Sequence, residues 1–347
     1  MALTASQFGQ AVQVEVIPSI GDGVLINPDV SPGAVQLRCS VQVTKAISSP
    51  ATPSACSVDV WNLATKSRDR AAGATRRIID FGSEVDALDG RVVFGTDFGD
   101  GTAEVVTRSN GFGFLRVSAF YQGAGSTVAL FKGSCTSVET QDRRPDQITR
   151  ITGADGLVQS SAAVTNRQWR DPTSMAVVLE YVVRDVMKTS LAGSTPGDFE
   201  AGLPASVRGF KLPAGYDATA LYATDILDEF ARVTDSEWWW DDGYLYWLDR
   251  GDVLPDPPLR LSPTPATGSY RMIRTPQATE PVAGAPAIVA PLLLLPELRL
   301  GRAVIIEAGR YKGEWSCRSV THAVDNRSGR VATTMAKLAR RGVLSFL

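Results

Sequence analysis

The chain has 347 residues, of which 44% are hydrophobic and 21% charged, enough for a packed core spread over two or three domains. Lys+Arg 35 against Asp+Glu 37 leaves a net charge of −2, which argues against a protein that coats DNA, since that task needs clustered positive charge. The single histidine excludes multi-histidine metal cages and makes any Ser-His-Asp hydrolase depend on one residue.

The opening MALTASQFGQAVQVEV lacks the basic start and continuous apolar core of a signal peptide. VQVEV (12–16) and VQLRCSVQV (35–43) then place apolar residues on alternate positions, with a short apolar VLI (24–26) between them; alternation is the period of a strand with one buried face. CSVDVWNL (56–63) continues the pattern, and the polar TKSRDRAAGATRR after it has room for a short helix. RVVFGTDFGDGTAEVVTRS (91–109) reads as a hairpin with its tip at Asp97 to Gly101; its aspartates do not meet a calcium-loop pattern. Further strands are expected in FGFLRVSAFY, STVALFKGSCTSVETQ and DQITRITGAD, so residues 1–147 are predicted to form one small β-barrel or sandwich.

The texture changes near Asp171. Asp171-Pro172 predicts a helix start, followed by a stripe of Met175, Leu179, Val182 and Val186 at helical spacing. A second helix is predicted with Asp217 as its cap and Tyr222, Ile226, Phe230 and Val233 as its apolar face. EWWWDDGYLYWLD then turns back on itself at Asp241-Asp242-Gly243. Residues 171–255 are thus predicted as an α+β insertion of two helices and a Trp-rich hairpin. The second β-domain is predicted to comprise 148–170 plus 256–347, with its opening strand within Leu157 to Trp169. The apolar run Ala285 to Leu295 is broken by Pro286 and Pro291 and is too short to span a bilayer, so no stable membrane insertion is expected.

The two β-regions share a motif. Phe-Lys-Gly-Ser-Cys-Thr-Ser-Val (131–138) matches Tyr-Lys-Gly-Glu-Trp-Ser-Cys-Arg-Ser-Val (311–320) with two residues inserted. The anchors are Lys132, Gly133, Cys135, Ser137 and Val138 in the first copy, and Lys312, Gly313, Cys317, Ser319 and Val320 in the second. The repeat predicts one barrel present twice in the chain, so that a trimer presents six similar barrels. The fold class expected is mainly β with an α+β insertion.

Catalytic patterns are missing: there is no phosphate-binding loop, nucleophile elbow or HExxH. Glu139 or Glu180 could serve a glycosidase, but any chain with 37 acids offers such pairs. Cys39, Cys56, Cys135 and Cys317 lie far apart, without metal spacing, and are expected as buried free thiols. No catalytic, cofactor-binding or metal-binding residue is therefore assigned. Trp238, Trp239, Trp240, Tyr244, Tyr246 and Trp247 are candidate interface aromatics, part core and part protein contact. His322 is expected to be structural. The ten Lys+Arg against three Asp+Glu from Arg299 onward fit either an acidic partner or a solvated rim.

In order and spacing, VQLRCSVQV…CSVDVWNLATKSRD, ALFKGSCTSVETQ…ITRITGADG, LDEFARVTDSEWWWDDGYLYWL and LLLLPELRLGRAVIIEA…YKGEWSCRSVTHAVDNRSG resemble the baseplate hub proteins of tailed phages. These include the late control protein D group and its Mu-like relatives. Ala64 stands where Ser is common. The resemblance covers nearly the whole chain. It implies two tail-tube-like barrels per chain and a homotrimeric ring at the tail tip, adapting a hexameric tube to a trimeric central spike. The implied partners are the tail tube protein, the spike, other baseplate or tail-tip proteins and the tape measure protein. Viral DNA would pass through the lumen without specific binding. The implied place is the virion, after assembly in the host cytoplasm. The rival readings are a tail-associated protein that binds or degrades cell wall, and another tail ring such as a distal tail protein.

Overall fold

A computed structural model of the chain describes residues 10–18, 22–29, 34–48, 51–74, 91–93, 105–107, 113–121, 129–143, 145–156, 163–195, 197–264, 269–282, 284–307, 309–327 and 331–341. The first β-unit contains β1 (Gln10–Ile17), β2 (Val24–Ile26), β3 (Cys39–Ala46), β4 (Ser54–Trp61), the helix α1 (Thr65–Gly73), the antiparallel pair β5 (Arg91–Val93) and β6 (Val105–Thr107), β7 (Phe114–Tyr121), β8 (Ala129–Arg143) and β9 (Asp146–Asp155). The hairpin tip expected at Asp97 to Gly101 lies outside the described residues. Alternation does here what the pleat requires. Val12, Val14 and Val16 of β1, Cys39, Val41 and Val43 of β3, and Cys56, Val58 and Val60 of β4 all enter one core.

An α+β unit follows: β10 (Gln168–Trp169), β11 (Thr173–Ser174), α2 (Met175–Glu180) running on into a π-helical stretch (Tyr181–Val186), β12 (Ser190–Leu191), α3 (Ala205–Arg208), β13 (Lys211–Leu212), β14 (Tyr216–Asp217), α4 (Ala223–Val233), and the hairpin β15 (Ser236–Asp241) and β16 (Tyr244–Asp249). The second β-unit contains β17 (Leu259–Ser262), β18 (Tyr270–Arg271), β19 (Gln277–Val282), β20 (Ala285–Leu293), β21 (Ala303–Ile306), β22 (Gly313–Asp325) and β23 (Thr333–Arg340). The chain is mainly β.

The two β-units have one strand order. Side by side, the strands run β2-β1-β7-β8-β9-β4-β3 in the first and β18-β17-β21-β22-β23-β20-β19 in the second. Leaving out β5 and β6, which among the described residues pair only with each other, the strands correspond in chain order as well as in space. The motif that marks the repeat is a structural device. β8 slips register against β9 between Cys135 and Ser137, and β22 slips against β23 between Cys317 and Ser319. A slip at the same Cys-x-Ser places a β-bulge in each copy, where the ladder kinks while the cysteine stays in the core. The copies differ in one strand: β1 is antiparallel to β2 and β7, whereas β17 is parallel to β18 and β21.

Strand pairing moves the expected domain limits. The boundary at 147/148 falls inside β9, which pairs with both β4 and β8, so residues 148–155 belong to the first β-unit. Of the expected opening strand of the second unit, in Leu157 to Trp169, residues 157–162 lie outside the described residues and the remainder belongs elsewhere. Val164 bridges Tyr222, and Trp169 pairs with Tyr216, both within the α+β unit. The place of that opening strand is taken by β17. The three units therefore follow one another along the chain, with the α+β unit between contiguous β-units instead of inserted into the second. Alternation reveals that a segment is a strand but not which sheet receives it.

Helix ends and faces also differ from expectation. α2 is capped by Ser174, whose side chain accepts from the Val177 N–H, while Asp171 precedes β11. The π-helical stretch rotates the stripe, so that Val183 and Met187 are buried and Val186 only partly. Asp217 caps no helix; its carboxylate accepts from Thr219 N and Oγ1. α4 begins after Tyr222, and its buried face is Ala223, Ile226, Leu227, Phe230 and Ala231, with Tyr222 and Val233 exposed. β20 tolerates its prolines because Pro286 lies opposite the register shift of β19 and because β19 pairs only as far as Val289. Pro291 lies beyond that point and accepts there from the Ile273 N–H, a role that needs no N–H of its own.

One buried side chain ties β2 to β3 in the first unit. Asn27, held at φ 55, accepts from Leu37 N at 2.7 Å and donates to Val12 O at 3.0 Å and Leu37 O at 3.2 Å. It imitates a peptide group and links the end of β2 to the start of β3. Replacing it with alanine takes this partner from the Leu37 N–H and the Val12 carbonyl, while the Leu37 carbonyl keeps its bond from Asn326. Asn27→Ala is expected to cost about 2–3 kcal/mol, read as a lowered urea midpoint at unchanged slope.

Candidate functional site

The three units meet at the tip of the Trp-rich hairpin. Asp242 (φ 55) and Gly243 (φ 86) adopt the left-handed backbone at both turn positions, as a type I′ turn between twisted strands demands. The turn drives Asp241 and Asp242 into the seam between the β-units. There β3 of the first unit pairs antiparallel with β22 of the second, from Ser319 opposite Ala46 to Asp325 opposite Ser40. The pairing makes one sheet of 14 strands.

Lys45, on β3, occupies the inward position after Val41 and Val43 and is 5% exposed. Its ammonium donates to Asp241 Oδ1 and, at 2.9 Å, to Asp242 Oδ1. Burial opposes its charge, but the two carboxylates outweigh that penalty and hold its pKa above the ordinary lysine value. Burial likewise raises the pKa of Asp241, against the pull of Lys45. Arg299 adds a second cation 4.0 Å from Asp242. Asp155, at the end of β9, accepts from the Gly243 N–H at 3.0 Å. Burial pushes its carboxyl up to about 8, so near neutrality it is protonated, and two cations face two carboxylates.

More contacts tie the hairpin down on both sides. Arg318, the extra residue of the second bulge, donates through both terminal nitrogens to the carboxylate of Glu237 on β15. A Cβ on Gly156 (φ 75) would lie 2.2 Å from the Trp240 ring, so only glycine lets that indole seat against the first unit. Gly301 (φ 72) gives Trp239 the same room against the second. Part of the positive excess after Arg299 is thus spent inside the chain, on the acids of the hairpin.

The candidate interface aromatics are placed accordingly. Trp238, Trp240 and Trp247 enter the core of the α+β unit, with their polar ends engaged where the structure shows them: Trp238 Nε1 donates to Asp228 and Trp247 Nε1 to Ser236. Trp239 enters the core of the second β-unit, stacked on Tyr246 with centroids 5.5 Å apart. Tyr244 is the exposed member, at 47%. A contact does exist, but it is between units of the same chain. These rings form no open platform for a sugar.

The repeat anchors lie on β8 and β22. Cys135 and Cys317 are buried, with thiols pushed up to about 12 by burial; Cys39 is raised likewise and Cys56 further still. All four cysteines are unpaired. His322, buried on β22, hydrogen-bonds Thr334 Oγ1 at 2.9 Å, and burial lowers its pKa to about 3. Among the described residues no group of three or more His, Cys, Asp or Glu is arranged to hold a metal. At the seam, the place a cation would take is filled by Lys45. An open cleft of about 420 Å³, lined by Gln168, Trp169, Arg170, Ala214, Gly215, Tyr216 and Asp217, has Asp217 as its one acid and offers no acid–base pair.

Sequence reasoning missed Lys45, Asp155, Arg299 and the Glu237–Arg318 pair. One signal was present: a lysine on the buried phase of an alternating strand needs an internal anion.

No family model matches the sequence, and no curated protein matches it. Solved structures do match in fold. A tail protein from Neisseria meningitidis MC58 superposes with a TM-score of 0.54 at 10% identity, covering 97% of this chain and 98% of that one. The 43 kDa tail protein of prophage MuSo2 from Shewanella oneidensis gives 0.53 at 8%, covering 95% and 98%. The E. coli c3393 protein, a type VI secretion component described as similar to the T4 tail proteins gp27 and gp5, gives 0.50 at 8%, covering 91% and 77%. At such identities the likeness is one of fold, and it extends over nearly the whole chain.

Two outcomes test the seam. Lys45→Met leaves two carboxylates without their ammonium and is expected to cost about 3–5 kcal/mol. Adding Asp241→Asn should recover a large part of that loss, read by urea unfolding of the single and double variants. Asp155 holds its proton more tightly folded (about 8) than at its ordinary 3.8. Its stabilising effect is therefore full below about pH 4 and is lost as pH rises through about 8. Asp155→Asn keeps an acceptor for Gly243 and should flatten that alkaline decline, measured as thermal midpoint against pH.

Proposed function

We propose that this chain is the structural hub of a phage tail tip or baseplate: a homotrimeric ring that adapts a hexameric tail tube to a trimeric central spike. The carrying observation is the pair of β-units with one strand order, fixed side by side by β3 and β22. Two such units per chain, three chains to a ring, present six alike positions to the tube while keeping threefold symmetry for the spike. The fold likeness to tail proteins along nearly the full chain supports the reading. So does the net charge of −2, because DNA and the tape measure protein must pass the lumen without sticking. The role is mechanical and not enzymatic, and its partners are the tube, the spike and neighbouring tail-tip proteins. Its place is the virion, after assembly in the host cytoplasm.

The experiment is a mass measurement across a concentration series, with images of the particles. A trimeric ring is expected, alone or on addition of the spike. A stable hexamer would favour a distal tail ring instead, and peptidoglycan clearing in a zymogram would move the reading to a wall-degrading tail enzyme.

A further inference from the structure

Among the described residues one strand-paired junction joins the β-units, and the repeat shows where a second belongs. On β22, one edge is shared by two strands: β21 takes Gly313 to Ser316, and β3 takes Ser319 to Asp325, beyond the bulge. On β8, the equivalent edge carries β7 along Ala129 to Ser134. Beyond its bulge, from Ser137 on, no strand pairs with that edge among the described residues. The strand equivalent to β3 is β19, which among the described residues pairs with β20 alone. Each β-unit thus has one edge that gives and one that receives, and the chain uses one of each.

Burial agrees with this assignment. At the occupied junction Val43 and Lys45 of β3, and Val320 and His322 of β22, are buried. Their counterparts Ala278 and Glu280 of β19, and Thr140 of β8, are exposed, while Val138 is half-buried. Unpaired N–H and C=O groups along a strand edge are a template for another strand.

We propose that β19 of one copy of this chain pairs antiparallel with β8 of a second copy, repeating between molecules the seam that β3 and β22 make within one. The ladder register carries over residue by residue. Through their neighbours, Gln42-Val43-Thr44-Lys45 corresponds to Gln277-Ala278-Thr279-Glu280, and the Gln-x-Thr is common to both. Ser319 to Ala323 corresponds to Ser137 to Gln141 from the matching bulges. Val138 then faces Glu280, Glu139 faces Thr279, Thr140 faces Ala278 and Gln141 faces Gln277. Pro281, at the β19 bulge, ends the pairable stretch. Such a contact is head-to-tail, so it closes into a ring when the rotation permits. Only the number of copies in that ring rests on the hub reading. The junction is also weaker than its template: Glu280 stands in place of Lys45, no Asp-Asp-Gly tip covers it, and its inward pairs are smaller. Copies are therefore stable apart and join at high local concentration.

The test is a register-specific crosslink in the full chain. Cα atoms facing each other across an antiparallel pair stand about 4.5–5.5 Å apart, within disulfide range, and the native thiols are buried. Glu139→Cys combined with Thr279→Cys is expected to give covalently linked chains on oxidation, up to a closed trimer. Glu139→Cys with Ala278→Cys, one residue out of register and on opposite faces, should not. Thr279→Glu, which sets like charges opposite each other, should weaken self-association several-fold in sedimentation, and Thr279→Lys should preserve or tighten it. Crosslinks in an assembly that is not trimeric support the pairing and overturn the hub reading. A trimer without the crosslink overturns the pairing and leaves the hub reading standing. Equal crosslinking of both pairs, or a monomer at every concentration, also overturns the pairing.

Discussion

The architecture depends on a buried lysine. Lys45 sits where a strand of the first β-unit pairs with the second, and its ammonium reaches the two aspartates at the tip of the α+β hairpin. An ammonium taken out of water is tolerable only beside anions that are equally fixed. The three units must therefore be in register before the charge is satisfied, and once they are, none moves without exposing an unpaired ion. A pair of this kind contributes little net stability against an apolar replacement, yet removing one member is costly. Its use here is to specify one mutual placement. Arg318 and Glu237 repeat the arrangement a short way along the same hairpin.

A rigid seam inside the chain is what the proposed role requires. A ring that joins two symmetries must present near-identical surfaces from non-identical units, and small angular errors accumulate around it. Fusing two copies in one chain and locking them with a third unit removes half of the junctions from the assembly problem. The strand that differs in direction, β17, lies away from the seam in the pairing order, so the edges that make junctions are the ones the two copies hold in common.

The aromatic hairpin shows how composition misleads when read as surface chemistry. Its tryptophans alternate between two cores: Trp238 and Trp240 point into the α+β unit, and Trp239 into the second β-unit. A strand with apolar groups on both faces is buried on both faces. Gly156 and Gly301 are the complementary signal, bare backbone set against an indole ring on either side. Neither glycine is legible as such in one sequence, because its partner is distant along the chain.

What the sequence determined by itself was local or periodic. Alternation marked the strands, Asp241-Asp242-Gly243 marked the turn, and Cys-x-Ser recurring at 135–137 and 317–319 marked the two copies. These are properties of a few neighbouring residues, set by backbone sterics and by which face is apolar. Tertiary structure decided the partners. It assigned residues 163–170 to the middle unit and made β17 the opening strand of the second. It gave Lys45 its acids 196 and 197 residues away and, among the described residues, left β8 and β19 each with an open edge. Pairing partners follow from closing long loops around a common core, and no short window of sequence carries that information.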